Sequence, residues 1–141
     1  MKIQVIHGPN LNMLAIREVG IYGSMTLEEM DLKIIEEAKK MGIEVSTFQS
    51  NYEGAIIDKI HSCHNCFDGI VINPGAFTHY SYAIRDAIAS VNIPTIEVHL
   101  SNIEERESFR KISVTKDVCI KQIMGKGYKS YLEALEEMKK I

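Results

Sequence analysis

Arg17 and Tyr22 lie five residues apart in the stretch REVGIYGS, between an apolar run and a strong helix start. Together they could make a base. A free phenol ionises near ~10, and bringing it to about 7 needs roughly 4 kcal/mol. One cation at about 4 Å, with an effective dielectric near 20, supplies about that much. A phenolate in a loop that Gly20 and Gly23 allow to open and close is a competent general base. The same spacing suits a packed tyrosine beside a solvated arginine, and the residues alone leave both readings open.

A second pair sits in EVHLS. Residues two apart on a strand share a face, so Glu97 and His99 project the same way. A carboxylate beside an imidazole fixes its tautomer and favours its protonated form, which makes His99 a candidate general acid. A core histidine satisfied by a structural glutamate is the alternative. A third set lies in THYSYAIRDAIAS, Thr78–Ser90, which reads as one helix. There His79, Ala83 and Asp86 stand at i, i+4 and i+7, on one face. His79, near free backbone N–H groups at the amino end, could hold a ligand hydroxyl or simply be solvated. Asp86 reads as a surface or interface charge.

Strand and helix signals alternate along the chain, and these elements must position the three sets. Short β-rich runs cover Lys2–Ile6, Ile43–Phe48, Gly69–Asn73, Pro94–His99 and Val118–Met124. The TLEE box at Thr26–Glu29 predicts a helix start. Leu27, Met30, Ile34, Ile35, Ala38 and Met41 then follow at helical spacing, up to a stop at Gly42. Further helices are predicted over Glu53–His64 and Tyr128–Ile141. This order predicts an α/β fold: a flavodoxin-like, doubly wound, five-stranded parallel sheet with helices on both faces. Ligands of such sheets bind outside the carboxyl ends of the strands. Asn10, Asn12, Asn73, His79, His99, Ser101, Asn102, Arg106 and Arg110 collect there. Amides, hydroxyls, imidazoles and guanidiniums suit a small, oxygen-rich anion.

The 141 residues fit one domain, 1–141, and 45% hydrophobic with 25% charged residues is ordinary for a soluble protein. A formal charge of −3 gives no footprint for nucleic acid. No run approaches the ~20 apolar residues of a membrane span. With no charged-then-apolar leader and three cysteines, the expected setting is the reducing cytoplasm. HSCHNC, His61–Cys66, holds a C-x-x-C, but its ligands crowd one helix end and Cys119 stands apart, so no metal is expected. A phosphoacceptor domain would need acidic residues where HGPN and Asn73 stand. A flavin binder would need a phosphate loop after the first strand.

The blocks HGPNLNML, REVGIYG, FQSNYEG, IIDKIH, GIVINPGAFTH, AIRDAI, IPTIEVHLSNIEERESFR and IMGKGYKSYLEAL resemble the type II 3-dehydroquinate dehydratases from residue 5 to about 135. The resemblance tips the three open readings toward catalysis. It implies cofactor-free dehydration of 3-dehydroquinate to 3-dehydroshikimate by a homododecamer built from trimers. It makes Tyr22 the base, Arg17 the stabiliser of its ionised form and of the transition state, and His99, paired with Glu97, the acid. Asn10 would hold a water on the enolate. Asn73, His79, Asp86, Leu100, Ser101 and Arg110 match substrate-binding positions, with Arg106 in support. The chain departs from the family pattern at Ala15, Val19, Tyr80, Lys121 and Ser130, none of them catalytic. A non-catalytic module binding a cyclic polyol acid is the alternative that an activity assay separates.

Overall fold

The structure is a computed structural model and describes residues 1–16 and 24–141. Arg17 and Tyr22, and the pairing expected of them, lie outside the described residues. In chain order the elements are β1 (Lys2–His7), α1 (Leu27–Lys40), β2 (Glu44–Gln49), α2 (Glu53–Ser62) and β3 (Gly69–Asn73). They continue with α3 (Tyr82–Val91), β4 (Thr95–His99), β5 (Lys121–Met124) and α4 (Lys129–Met138). The strands form one parallel sheet in the order β2-β1-β3-β4-β5. This is the flavodoxin-like winding, with its reversal between β1 and β3.

Local chemistry explains the elements. The Thr26 hydroxyl accepts the Glu29 N–H at 3.1 Å and starts α1. Acidic Glu28 and Glu29 in its first turn and basic Lys39 and Lys40 in its last complement the helix dipole. Gly42, at φ +76°, lets the chain turn out of it. Alternation along the strands then builds two cores. Ile3, Val5, Val71 and Val98 pack with Ile34 of α1 and Leu135 of α4. Ile6, Ile70 and Ile72 pack with Ile56 and Ile60 of α2 and Ile84 and Ile88 of α3. All five residues of β3 are buried, as its unbroken apolar pattern requires.

Two boundaries differ from the sequence expectation. The helix expected over Thr78–Ser90 is a 3-10 turn, Gly75–His79, followed by α3. Ser81, not Thr78, is the cap: its hydroxyl accepts the Ile84 N–H at 3.0 Å. His79 therefore precedes the helix and does not share a face with Ala83 and Asp86. The last strand begins at Lys121 rather than Val118, because Lys116–Val118 close a 3-10 turn. The Ile120 N–H already donates to the Thr95 carbonyl at 2.8 Å, where β4 begins.

Ala15, at φ +70°, holds a left-handed conformation that a Cβ disfavours by ~1–2 kcal/mol. Glycine there gives back part of that gain in chain entropy. Ala15→Gly should raise stability by about 1 kcal/mol, measured as a higher midpoint in urea. A lower midpoint would show that the Ala15 methyl is held by contacts worth more than the strain.

Candidate active site

The end of β1 and the end of β3 meet because two glycines allow it. A Cβ on Gly8 would stand 2.5 Å from the Pro74 carbonyl oxygen, and the Gly8 N–H donates to the Asn73 carbonyl at 2.7 Å. Gly75, at φ +59°, turns the chain past Pro9. Asn10 takes a left-handed conformation, φ 69°, which asparagine tolerates. Its backbone N–H is held by the Asn51 side-chain oxygen at 2.9 Å.

A cavity of about 350 Å³ opens over these loops. Asn10 lines it from β1, Asn73 from β3, and His99, Leu100 and Ser101 from the end of β4. Arg106 and Arg110 close its far side. The Arg110 guanidinium lies 4.8 Å from the Phe109 ring centre, with its Nε 2.9 Å from a Glu107 carboxylate oxygen. The cavity thus brings together seven of the residues marked by the sequence.

Glu97 and His99 stand as their two-residue spacing predicts. His99 Nε2 lies 2.7 Å from a Glu97 carboxylate oxygen, and both side chains are buried. Nε2–H donates to the carboxylate, so any further proton on the ring sits at Nδ1. Four more side chains surround the anion. Thr78 donates at 3.1 Å, Ser113 at 2.9 Å and Gln122 at 2.5 Å, and Thr115 donates as well. Burial pushes the Glu97 carboxyl up. The hydrogen bond and charge of His99, followed by the bonds from Thr115 and Gln122, outweigh burial and hold it at about 2.

This cage was missed in the sequence. No local pattern marks it: Ser113 and Thr115 lie in an irregular segment, and only the β4–β5 register sets Gln122 beside Glu97.

His79 and Asp86 do not line the cavity. The His79 Nδ1–H donates to the Ile112 carbonyl at 2.6 Å, leaving Nε2 as an acceptor. Burial lowers its pKa, the Ile112 bond partly opposes that, and the charges of His99 and Arg110 lower it further. Asp86 is exposed on α3, 3.5 Å from the Arg85 guanidinium. Tyr80 is also exposed and packs edge-on against Phe77 rather than filling the cavity. Among the described residues no group of three or more His, Cys, Asp or Glu side chains is arranged to hold a metal ion. In HSCHNC, Cys63 is buried with its thiol pushed up to about 11 by that burial, and Cys66 is exposed. No helix among the described residues is long and apolar enough to cross a membrane.

The dehydroquinase class II family model matches residues 1–139. The chain belongs to the class II dehydroquinase family. It is 58% identical over 134 residues to the 3-dehydroquinate dehydratase of Bacillus mycoides, covering 95% of this chain and 92% of that protein. The crystal structure of the type II dehydroquinase from Butyrivibrio crossotus matches with a TM-score of 0.97 at 58% identity, over 99% of this chain and 97% of that one. That from Propionibacterium acnes matches with a TM-score of 0.96 at 38% identity, with the same coverages. The five-stranded parallel α/β fold is thus that of the type II dehydroquinase structures.

His99 and the hydroxyl and amide donors hold the Glu97 carboxyl down at about 2, below its ordinary 4.5. Its stabilising effect is therefore whole above pH 4.5 and is lost as pH falls through about 2. The difference corresponds to about 3 kcal/mol. Glu97→Gln should cost stability of that order at neutral pH and flatten the acid limb between those values, read by denaturant melts across pH. An unchanged acid limb would assign it to other carboxyls.

Proposed function

We propose that the chain is a type II 3-dehydroquinate dehydratase, eliminating water from 3-dehydroquinate to give 3-dehydroshikimate, reversibly and without metal or organic cofactor. The observation that carries this reading is the Glu97–His99 pair opening into a cavity walled by amides and guanidiniums. The relatives that bear the dehydratase name support the substrate. The reaction belongs to the shikimate pathway of aromatic amino acid biosynthesis, and the cytoplasm is its expected setting.

Tyr22, ionised beside Arg17, takes the proton from the carbon next to the ketone. The electron pair moves into the carbonyl to give an enolate, which a water held by Asn10 stabilises. The enolate reforms the ketone and expels the β-hydroxyl, which leaves as water with the proton from His99 Nδ1. Glu97 keeps hold of Nε2–H throughout. Tyr22 ends protonated and His99 neutral, so one proton must pass between them through solvent before the next cycle. The Leu100 and Ser101 backbone N–H groups hold the substrate carboxylate. Asn73 and Arg110, which line the cavity, hold its remaining oxygens, with Arg106 in support. Asp86, exposed on α3 and outside the cavity, serves the substrate only from a neighbouring copy. That arrangement fits a homododecamer built from trimers.

Added 3-dehydroquinate should produce the ultraviolet absorbance of a conjugated enone. Tyr22→Phe should abolish that rise, a loss of about 10³-fold or more, while calorimetry still detects binding. Binding without turnover by the unmodified chain would favour the non-catalytic module. Arg17→Gln should move the basic-residue limb of the pH–rate profile upward, since the phenolate loses its counter-charge. An unmoved limb would separate Arg17 from the base.

A further inference from the structure

Opposite the Glu97 cage, on the face covered by α1 and α4, a second buried polar chain reaches the cavity. His7 is fully buried at the end of β1. Its Nε2 lies 2.7 Å from an Asp31 carboxylate oxygen of α1, and its Nδ1 lies 2.9 Å from the Tyr131 hydroxyl of α4. Tyr131, also fully buried, receives an N–H from the Asn73 amide at 3.2 Å. The Asn73 oxygen accepts the Gly75 backbone N–H at 3.1 Å. Nothing in the mechanism above uses His7, Asp31 or Tyr131.

The direction of every bond in this chain is determined. The Gly75 backbone N–H can only donate, so it must face the Asn73 oxygen, and the amide nitrogen must face Tyr131. The Asp31 carboxylate accepts, so His7 Nε2 carries a proton. The remaining question is Nδ1. If it too were protonated, the Tyr131 oxygen would receive two donors, and its own hydrogen would be buried with no acceptor in the chain. With Nδ1 unprotonated, the Tyr131 hydroxyl donates to His7 and accepts from Asn73, and every group is paired. Burial keeps that phenol protonated, chiefly by desolvation. The second N–H of Asn73 has no partner among the described residues, and Asn73 lines the cavity.

We propose that Asp31, His7 and Tyr131 are positioning residues that lock the Asn73 amide so that its second N–H donates into the substrate cavity. The point it faces then accepts a ligand oxygen and rejects a ligand donor that lacks a lone pair there. This rests on the reading of Asn73 as substrate-binding.

The relay is tested in two ways that do not share an assumption. Long-range proton–nitrogen NMR of the full chain reads the His7 tautomer without substrate. The proton is expected on Nε2 alone, and a proton on Nδ1 overturns the relay. Kinetics with 3-dehydroquinate read its effect. Tyr131→Phe keeps the ring and should raise KM about tenfold while kcat stays within about threefold, because a bond made equally to substrate and transition state is lost. In an Asn73→Ala background the same change should leave KM where Asn73→Ala alone puts it. A merely structural role would instead lower the active fraction at constant KM, and an unchanged KM overturns the proposal. Should Tyr131→Phe fail to fold, Asp31→Ala, on the partly exposed end of the relay, should raise KM about threefold. Asp31→Asn, which keeps an oxygen within reach of Nε2–H, should restore most of it. An unmodified chain that binds 3-dehydroquinate without turnover overturns the functional reading alone. The His7 tautomer and the Kd of Tyr131→Phe for 3-dehydroquinate then decide the relay.

Discussion

A carboxylate with no solvent exposure stands at the centre of the sheet's β4–β5 side. Removing such an ion from water costs several kcal/mol even after relaxation, so the fold holds it only where donors replace the water. Those donors come from distant parts of the chain. Thr78 lies in the turn after β3, Ser113 and Thr115 in the irregular segment before β5, Gln122 on β5 itself and His99 two residues along β4. The stretch from Leu100 to Ile120 has no helix beyond three-residue turns. Ser113 and Thr115 tie this stretch to the sheet through Glu97, the Ile120 N–H ties its end to the Thr95 carbonyl, and Leu100 packs into the core at its start.

The strand period of two distributes the polar groups. On β1 and β3 the face that carries Val5 and Val71 ends in His7 and Asn73, toward α1 and α4. On β4 the opposite face carries Thr95, Glu97 and His99. Each face therefore buries one polar network, and both networks reach the same carboxyl edge of the sheet. Apolar packing alone would fill these positions more cheaply, since a hydrophobic replacement of a buried ion pair is often neutral or stabilising. What apolar residues cannot do is fix the direction of a proton donor at the cavity. Under the proposed chemistry, that constraint is what both networks serve.

Much of this was legible in the sequence. β3 and the start of α1 read correctly because an unbroken apolar run and a capping box are local signals. The Glu97–His99 pair read correctly because strand period alone aligns it. The start of α3 did not. Thr78 and Ser81 both look like caps, and which one serves depends on a tertiary partner: Thr78 spends its hydroxyl on Glu97. The shared face assigned to His79 and Asp86 failed with that boundary. The start of β5 was misread for a related reason. An edge strand extends only as far as its one neighbour pairs with it, and β4 begins pairing at Ile96 with Lys121. Apart from His99, the partners of Glu97 come from residues 16 to 25 positions away in sequence, beyond any periodic pattern.

His99 is oriented through the Glu97 carboxylate rather than by a backbone carbonyl. A carbonyl would fix the tautomer equally well, but it carries no net charge. Under the proposed chemistry His99 must hold a second proton at Nδ1 until the hydroxyl departs, and a full negative charge at 2.7 Å stabilises that cation where a dipole would do so less. An exposed carboxylate at that distance would be screened by water and salt. Burial removes the screening, and the hydroxyl cage keeps the carboxyl ionised despite burial. Five donors around one anion are therefore what allows a buried carboxylate to act on its histidine at full strength.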